Sequence, residues 1–285
     1  MTDDTRVGIV GLGPMGGGMR KRLDSEGWSV SGFDIDASRS EYATIEALCA
    51  VSDVVLLSLP DALAVREVAL GDSGIAAVGR SGLVVADAST DDPETARALA
   101  DGLHRRGIDF LDAPVSGGRK GAEEGALSML VGGDADVLAK VRPLLTVLAK
   151  NVLHVGGVGC GQAAKLVNNL LVATELIAVA EALRLGREAG VDAETLLTAI
   201  NASSGRSAVS EINFPRWILN EAFDSGFSAK LMRKDVRTAL ELAASRGTNL
   251  DLLERAAEIW RDSTGRLPDD HDFNRIAELD PPGNR

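Results

Sequence analysis

The sequence is poor in the residues that carry metal, thiol and phenol chemistry. Its 285 residues include three histidines, two cysteines and one tyrosine. Cys49 and Cys160 have no metal-binding or redox spacing, and scattered histidines cannot complete a catalytic zinc site with them. Tyr42 is followed by Glu46 four positions later, so a Tyr-x-x-x-Lys pair is excluded. We therefore expect no metal and two reduced cysteines, as is typical of the cytoplasm.

Positive charge and uninterrupted apolar stretches are also scarce. The 30 Lys and Arg are outnumbered by 42 Asp and Glu, and the net charge of −12 argues against nucleic acid or an anionic membrane as a partner. The longest apolar run, residues 166–180, contains Asn168, Asn169 and Glu175, which disfavours a membrane span. The polar start MTDDTR leads directly into a predicted strand, so we expect no signal peptide and a cytoplasmic protein.

A glycine motif lies between the first predicted strand and the first predicted helix. Arg6–Val10 is a short apolar run, residues 11–16 read GLGPMG, and residues 17–23 are compatible with a helix. In such a GxGxxG arrangement the first glycine allows a tight turn, the second lets a pyrophosphate approach the backbone, and the third permits close helix–strand packing. A glycine-rich turn without a ligand is the less favoured alternative. The residues assigned to cofactor binding are Gly11, Leu12, Gly13, Pro14, Met15 and Gly16.

An acidic residue follows the second apolar run, Ser29–Phe33. Asp34 lies 18 residues beyond the glycine motif, where a carboxylate accepts hydrogen bonds from a ribose 2′-OH and repels a 2′-phosphate. This favours NAD, although an acid after a strand is often only a helix cap and Arg39 nearby leaves NADP open. Only 18 residues separate Asp34 from Asp53, so we expect a reduced layer between these strands.

Strand and helix patterns alternate through the rest of the first half. Further strands are predicted at 54–58, 83–87, 109–113 and 152–155, with helices at 61–70, after Pro93 and at 135–148. This order predicts a parallel, doubly wound sheet of Rossmann type over residues 1–158, with ligands at the carboxyl ends of the strands. Leu59, Pro60, Ser89 and Thr90 follow such ends and are expected to border the cofactor, although each pair could form an ordinary turn.

The predicted strand at 109–113 leads into the sequence DAPVSGG at 112–118. Ser116, Gly117 and Gly118 combine a hydroxyl with a flexible backbone whose N–H groups can point at an anion. Taken alone, this stretch is interpreted equally well as a plain glycine turn.

A long helix is predicted at about 161–189. Between Gln162 and Glu188 there is no proline and one glycine, which gives a helix of roughly 40 Å, and residues 166–180 are apolar almost all round, which is typical of a buried helix. Lys165, Asn168 and Asn169 share one face near its start. Three costly polar groups in a buried helix favour a polar site over a lysine that merely extends to solvent.

Only helices are predicted after the long helix. They lie at about 193–201, 207–222, 229–246, 250–262 and 271–279, so residues 159–285 form an all-helical domain, and the tail 280–285 is expected to be frayed. The basic cluster of Lys230, Arg233 and Lys234 is by itself best explained as a solvated face.

Four stretches occur in a fixed order along the chain: GLGPMGGGM at 11–19, DAPVSGGRKGAEEGALSMLVGG at 112–133, GQAAKLVNN at 161–169 and FSAKLMRKDV at 227–236. Together they resemble the β-hydroxyacid dehydrogenase family, which includes 3-hydroxyisobutyrate dehydrogenase and tartronate semialdehyde reductase. The resemblance covers nearly the whole chain, and SSGR at 203–206 is similar to the 3-hydroxyisobutyrate branch in particular.

The resemblance implies a Rossmann-type dinucleotide-binding domain followed by an all-α domain, joined by the long helix. It implies an NAD(P)-dependent oxidoreductase that interconverts a short 3-hydroxy acid and its semialdehyde. Lys165 would be the general acid/base, with its pKa lowered by burial toward the working range. The residues implied at the substrate are Ser116, Gly117, Gly118, Asn168 and Asn169, and those implied at the cofactor from the helical domain are Phe227 and Lys234.

Related enzymes with the same architecture are the main alternatives. A phosphogluconate-type decarboxylating dehydrogenase is expected to have a histidine at the position of Asn168 and a much larger helical domain, which disfavours this alternative. Imine reductases typically lack the lysine that Lys165 supplies, and the intact pair of Lys165 and Asn169 disfavours a non-catalytic NAD(P)-binding relative. The particular 3-hydroxy acid stays open. Apolar surface left on the helical domain predicts a homodimer or homotetramer, the alternative being a monomer with every apolar face satisfied internally.

Overall fold

Residues 5–279 are described by the structure, which is a computed structural model. The tail 280–285, which is predicted to be frayed, lies outside the described residues. The chain divides into two compact units, and the change from one to the other falls between Lys165 and Leu166. The sequence prediction places the domain boundary a few residues earlier, between residues 158 and 159.

The first unit is built around one eight-stranded sheet. Its strands are β1 (Arg6–Val10), β2 (Ser29–Phe33), β3 (Val54–Leu57), β4 (Val84–Asp87), β5 (Asp109–Asp112), β6 (Val115–Ser116), β7 (Leu127–Gly133) and β8 (Ala149–Gly156). Its helices are α1 (Pro14–Ser25), α2 (Ile45–Val51), α3 (Ala62–Leu70), α4 (Ile75–Val78), α5 (Pro93–His104), α6 (Gly118–Glu124) and α7 (Ala135–Leu148). The strand order is β2-β1-β3-β4-β5-β7-β6, and β8 pairs with β7.

The predicted parallel arrangement holds for β1 to β5, but the sheet as a whole is mixed. Strands β1 to β5 are parallel neighbours, whereas β7 is antiparallel to β5 and to β6 and parallel to β8. The physical reason lies in the connection 117–126, which is shorter than the dozen or so residues that a parallel crossover requires. Gly117, at a φ of 126°, and Gly118, at 64°, take backbone conformations that let the chain turn there.

Alternate residues of the parallel strands contribute to two separate cores. On β3, Val54 and Leu56 belong to one buried cluster, whereas Val55 and Leu57 belong to another. Successive side chains of a strand point to opposite faces, so both faces of this part of the sheet are covered. Between β2 and β3, α2 is seven residues long and is the only helix or strand among the described residues there, in line with the reduced layer that the sequence predicts.

The second unit is helical. α8 (Cys160–Glu188) begins in the first unit and is followed by α9 (Ala193–Asn201), a π-helix (Val209–Ile218), α10 (Ala229–Ser245), α11 (Asp251–Asp262) and a 3₁₀-helix (Phe273–Glu278). Two predicted helices, 207–222 and 271–279, are thus shorter and are not α-helical. In the first of them Pro215 has no N–H to donate and its ring clashes with the carbonyl four residues earlier in an α-helix, which favours a wider turn.

α8 is buried on one side only. Leu166, Leu170 and Leu176 are 0–3% exposed in the core of the second unit, whereas Val167 is 62% and Leu171 is 51% exposed. Within one chain this face is left uncovered, because the elements of the unit pack against the opposite side, so a helix buried almost all round is not reached by the single chain. α8 is the one helix among residues 5–279 long and apolar enough to cross a membrane, but half of that stretch is buried within the protein. Core helices pass the same test, so it supports no membrane assignment.

Candidate active site

The glycine motif forms the turn between β1 and α1. Gly11 has a φ of 91°, and a Cβ there would lie 2.3 Å from the Ser58 carbonyl oxygen. A Cβ at Gly16 would lie 1.8 Å from the Gly11 carbonyl oxygen. At Gly13, by contrast, a Cβ would meet no atom of the described chain within 4 Å. Gly11 and Gly16 are therefore required by the fold, whereas Gly13 leaves open space beside the N-terminus of α1, which is what a dinucleotide pyrophosphate requires.

Asp34 lies at the carboxyl end of β2, directly beside this turn. Its Oδ2 accepts a hydrogen bond from the Leu12 N–H at 2.6 Å, and its Oδ1 accepts one from the Asp36 N–H at 2.9 Å. Arg39, about half exposed, forms an ion pair with Asp36 at 3.2 Å. The structure therefore brings Asp34 to the glycine motif, while Arg39 is engaged by another carboxylate of the same loop.

The two loops predicted to border the cofactor lie next to each other. The Leu59 N–H donates to Ser89 Oγ at 3.0 Å, and the Ser89 N–H donates to Asp87 Oδ1 at 2.9 Å. Ser89 is buried, Thr90 is half-buried and Pro60 is exposed. Because β1, β3 and β4 are parallel neighbours, these loops and the glycine turn share the carboxyl edge of the sheet.

Lys165 lies against Ser116, although 49 positions separate them in sequence. Its Nζ donates to Ser116 Oγ at 2.6 Å, and Lys165 is only 6% exposed. Ser116 is the last residue of β6, and the chain continues through Gly117 into α6, which begins at Gly118. A buried ammonium beside a hydroxyl and a flexible backbone is an arrangement that can bind oxygen anions.

Asp112, which was not predicted as a site residue, holds the start of α8. Its carboxylate is fully buried; Oδ1 accepts from the Gly159 N–H at 2.8 Å, and Oδ2 accepts from the Gln162 N–H at 2.9 Å. Burial raises the pKa of Asp112, while these N–H groups oppose the rise. An acid at the end of an apolar strand was the available signal, but nothing in the sequence shows that its partners lie in a later helix.

Gln162 connects the same helical turn to the loop after β4. It is fully buried; its Oε1 accepts from the Asp91 N–H at 2.9 Å and its Nε2 donates to the Ser89 carbonyl at 2.9 Å. The predicted substrate group Lys165 and the predicted cofactor loop around Ser89 are thereby joined through one side chain of the first turn of α8.

A second polar cluster lies within the second unit. Asp235 is 1% exposed, and its Oδ2 accepts from Asn169 Nδ2 at 2.6 Å. Its Oδ1 is 3.2 Å from Lys234 Nζ. Asn168 Nδ2 donates to Asn169 Oδ1 at 3.2 Å. Asp235, which was not itself predicted, therefore contacts two predicted site residues, Asn169 and Lys234, while the exposed Asn168 contacts Asn169.

The sequence contained a signal for Asp235. On α10 it falls on the same buried stripe as Met232 and Val236, and an acid at the apolar period of a helix requires partners. Phe227, the other predicted residue of this unit, precedes α10 and packs edge-to-face with Phe273, with ring centroids 5.4 Å apart.

Two family models match the chain, one after the other. Residues 6–156 match the NAD-binding domain of 6-phosphogluconate dehydrogenase. Residues 159–279 match the NAD-binding model of NADP-dependent 3-hydroxyisobutyrate dehydrogenase.

Individual relatives are similar over both units. The chain is 36% identical to the 2-(hydroxymethyl)glutarate dehydrogenase of Eubacterium barkeri, over 91% of this chain and 89% of the relative. It is 33% identical to the NAD-dependent L-serine dehydrogenase of Pseudomonas aeruginosa, over 96% and 97% of the two chains. A solved structure of Mycobacterium tuberculosis 3-hydroxyisobutyrate dehydrogenase with L-serine has a TM-score of 0.87 and 32% identity, and the match covers 96% of this chain and 98% of that one.

The dinucleotide-binding sheet, the helical unit and these matches define an NAD(P)-dependent oxidoreductase that acts on the CH–OH group of hydroxy acids. The chain belongs to the β-hydroxyacid dehydrogenase family, as the four motifs indicate. The predicted fold class, a Rossmann-type domain followed by an all-α domain, is confirmed. Because the relatives are named as hydroxyacid dehydrogenases, the imine reductase and non-catalytic alternatives are not favoured.

Proposed function

We propose that this enzyme interconverts a short 3-hydroxy acid and its semialdehyde, with Lys165 as general acid/base. The observation that carries the proposal is the buried Lys165 ammonium at 2.6 Å from Ser116 Oγ. The relatives are named for 2-(hydroxymethyl)glutarate, L-serine and 3-hydroxyisobutyrate. All three compounds carry a CH₂OH group on the carbon next to a carboxylate, so we propose HOCH₂–CHR–COO⁻ as the substrate class.

The roles of the residues in the first unit follow from their chemistry. When bound, the nicotinamide supplies hydride transfer at the carbinol carbon. Lys165 in its neutral form accepts the hydroxyl proton during oxidation, and its ammonium returns a proton to the aldehyde oxygen during reduction. The Ser116 hydroxyl and the N–H groups of Gly117 and Gly118 bind the carboxylate. Because Lys165 and Ser116 lie in contact, a carboxylate and a hydroxyl borne by adjacent carbons can engage both.

The second unit contributes further binding groups to this proposal. Asn169, with Asn168 beside it, binds the substrate, and Lys234 reaches the cofactor with Phe227 nearby. The contacts of Asn169 and Lys234 with one buried carboxylate support a fixed orientation for both side chains. Leu59, Pro60, Ser89 and Thr90 border the cofactor in this proposal. Asp34 selects NAD over NADP.

A substrate panel tests the proposed reaction. The purified protein is incubated with NAD or NADP and with 3-hydroxyisobutyrate, 3-hydroxypropionate, L-serine or 2-(hydroxymethyl)glutarate, and nicotinamide absorbance is followed. Lactate, a 2-hydroxy acid, and isobutanol, which lacks the carboxylate, are the matched controls. We expect turnover with 3-hydroxy acids only. Equal rates with isobutanol would remove the carboxylate contact from the proposal, and faster turnover of lactate would overturn the substrate class.

We infer that the enzyme works as a homodimer or homotetramer in the cytoplasm. The exposed apolar side chains of Val167, Leu171 and Leu185 on α8 support coverage by a second copy, since such surface is unfavourable in water. Two free cysteines, Cys49 and Cys160, suit a reducing compartment. Light scattering tests the assembly: the mass of one chain, 29.8 kDa, at micromolar concentration would contradict it.

A further inference from the structure

The fully buried carboxylate of Asp112 connects two parts of the first unit that are distant in sequence. It ends β5, and it accepts hydrogen bonds from the backbone of Gly159 and Gln162 at the start of α8, about 50 residues later. The first N–H groups of a helix have no partner within the helix and carry its partial positive charge, so a carboxylate there is strongly held. The start of α8 is thus fastened to the end of β5.

Two glycines approach this carboxylate closely. A Cβ on Gly132 would lie 2.5 Å from Asp112 Oδ1. A Cβ on Gly161 would lie 2.8 Å from Asp112 Oδ2 and 2.4 Å from the Leu130 carbonyl oxygen. Real Cβ atoms do not approach oxygen so closely, so the two glycines permit the backbone to surround the carboxylate.

Two short paths lead from Asp112 to the proposed reacting groups. Ser116 lies four residues further along the same chain, and the intervening backbone is fixed because the Ala113 N–H donates to the Asp87 carbonyl at 2.7 Å. Lys165 lies three residues, less than one helical turn, beyond Gln162. Asp112 is therefore within four residues of Ser116, and its partner Gln162 is within three residues of Lys165, the two groups that lie 2.6 Å apart.

We propose that Asp112 is a positioning residue that sets the distance between the Lys165 ammonium and the Ser116 hydroxyl by fastening α8 to the end of β5. Gln162 extends the same fastening to the loop at Ser89 and Asp91. Asp112 does not touch the reacting atoms; it acts through the helix that carries Lys165. The role in turnover rests on the proposed function of Lys165.

The test compares two identical substitutions at helix starts in the same unit. Asp112→Asn keeps the size of the side chain, but its amide accepts one N–H and turns an NH₂ group toward the other. Asp134→Asn is the matched control, because Asp134 Oδ1 accepts from the N–H groups of Asp136 at 2.8 Å and Val137 at 3.1 Å at the start of α7. We expect Asp112→Asn to lower kcat by about 10²-fold, the effect of a misplacement of about 1 Å, with little change in NADH affinity. Asp134→Asn should retain the wild-type kcat.

A second readout does not require turnover. Trace acetylation with acetic anhydride, followed by mass spectrometry, reports the accessibility of each lysine, and Lys140, with an exposed side chain, is the internal reference. We expect Lys165 to be labelled faster in Asp112→Asn than in the wild type or in Asp134→Asn. Labelling and kcat both at wild-type values would overturn the proposal, and so would a low kcat with unchanged labelling of Lys165. If the wild-type enzyme turns over no 3-hydroxy acid, the proposed function fails while the labelling result still decides the positioning role.

Gly161→Ala decides the question if Asp112→Asn does not fold, as judged by circular dichroism. This variant keeps the carboxylate and its backbone partners, but its Cβ forces the start of α8 away from Asp112 and Leu130. Alanine favours a helix more than glycine does, so weakened helix formation cannot explain a loss. We expect a lower kcat and faster labelling of Lys165; unchanged values of both would overturn the proposal.

Discussion

Replacing Gly13 with alanine should separate the binding role of the glycine motif from its folding role. Gly13 has a φ of −63° and a ψ of −169°, a conformation open to any residue, and a Cβ there would meet no atom of the described chain within 4 Å. Alanine reduces the entropy of the unfolded chain but is a poorer N-cap than glycine, and the two effects offset each other to within about 1 kcal/mol. The melting temperature without cofactor should therefore move by no more than about 4 °C.

Cofactor affinity should respond quite differently in Gly13→Ala. The added methyl group occupies the open space beside the N-terminus of α1, where the pyrophosphate must approach the backbone N–H groups. We expect the dissociation constant of NADH to rise at least about tenfold, which corresponds to about 1.4 kcal/mol of binding free energy. Titration followed by nicotinamide fluorescence measures this constant.

Gly16→Ala is the matched control for Gly13→Ala. Its Cβ would lie 1.8 Å from the Gly11 carbonyl oxygen, so the fold itself should lose at least about 1–3 kcal/mol of unfolding free energy. Wild-type NADH affinity in Gly13→Ala would refute the placement of the pyrophosphate at this residue. Equal losses of melting temperature in the two variants would refute the distinction between a folding glycine and a binding glycine.

Three further substitutions test chemistry, cofactor choice and stability. Lys165→Ala should lower kcat by about 10²–10⁴-fold and leave NADH affinity nearly unchanged. Lys165→Arg should also have a low kcat, because a guanidinium stays protonated and cannot accept the proton. An alanine variant that keeps more than about a tenth of the wild-type rate would show that Lys165 is not the general acid/base. Asp34→Asn should narrow or reverse the preference for NAD over NADP, measured as kcat/KM. If the wild-type enzyme prefers NADP, the assignment of Asp34 is wrong and Arg39 becomes the candidate ligand of the 2′-phosphate. Hydrogen bonding to Arg6 lowers the pKa of Asp53 to about 2, below its unfolded value of about 3.9. A lowered carboxyl pKa stabilises the fold above the unfolded pKa, and this stabilisation is lost as pH falls through the folded pKa. Because a third of the Asp53 side chain is exposed, Asp53→Asn should cost roughly 1 kcal/mol of unfolding free energy at pH 7, and this cost should shrink as pH falls toward 2; equal stability of the two proteins in urea at pH 7 would contradict this.

The regular elements were predictable where the signal is local. The predicted strands 6–10 and 29–33 have the bounds of β1 and β2, and the predicted helix 161–189 differs from α8 by one residue at each end. Such elements are determined by residues close in sequence: an apolar run bounded by glycine or polar residues for a strand, and a long stretch without proline for a helix. Strand β7 (Leu127–Gly133) was not predicted, because it ends in two glycines, which are poor strand formers, and its partners β5, β6 and β8 are chosen by packing.

The candidate site was predictable only in part, for a related reason. Lys165 and Asn169 are buried as predicted, whereas Asn168, predicted on the same face, is exposed. The two buried positions indicate that partners exist, because an unpartnered buried polar group is costly. They do not indicate which partners. The hydrogen bonds of Asp112 to Gly159, of Gln162 to Ser89 and of Asn169 to Asp235 span 47, 73 and 66 positions. Only the fold brings such residues together.

Two of the unpredicted residues, Asp112 and Asp235, are buried carboxylates in a chain whose net charge is already −12. Burying a carboxylate is unfavourable unless hydrogen-bond donors surround it, and each of the two has donors on α8. Core helices are ordinarily held by apolar packing, which tolerates small rotations and shifts. A carboxylate with short, directed hydrogen bonds tolerates neither, so it fixes the position of a side chain along and around a helix. The proton transfer proposed for Lys165 would require that kind of restraint, since a misplacement of about 1 Å can lower a rate about 10²-fold. The hydrogen bonds that Asp112 and Asp235 make to α8 therefore meet the geometric demands of the proposed reaction as well as the needs of two buried carboxylates.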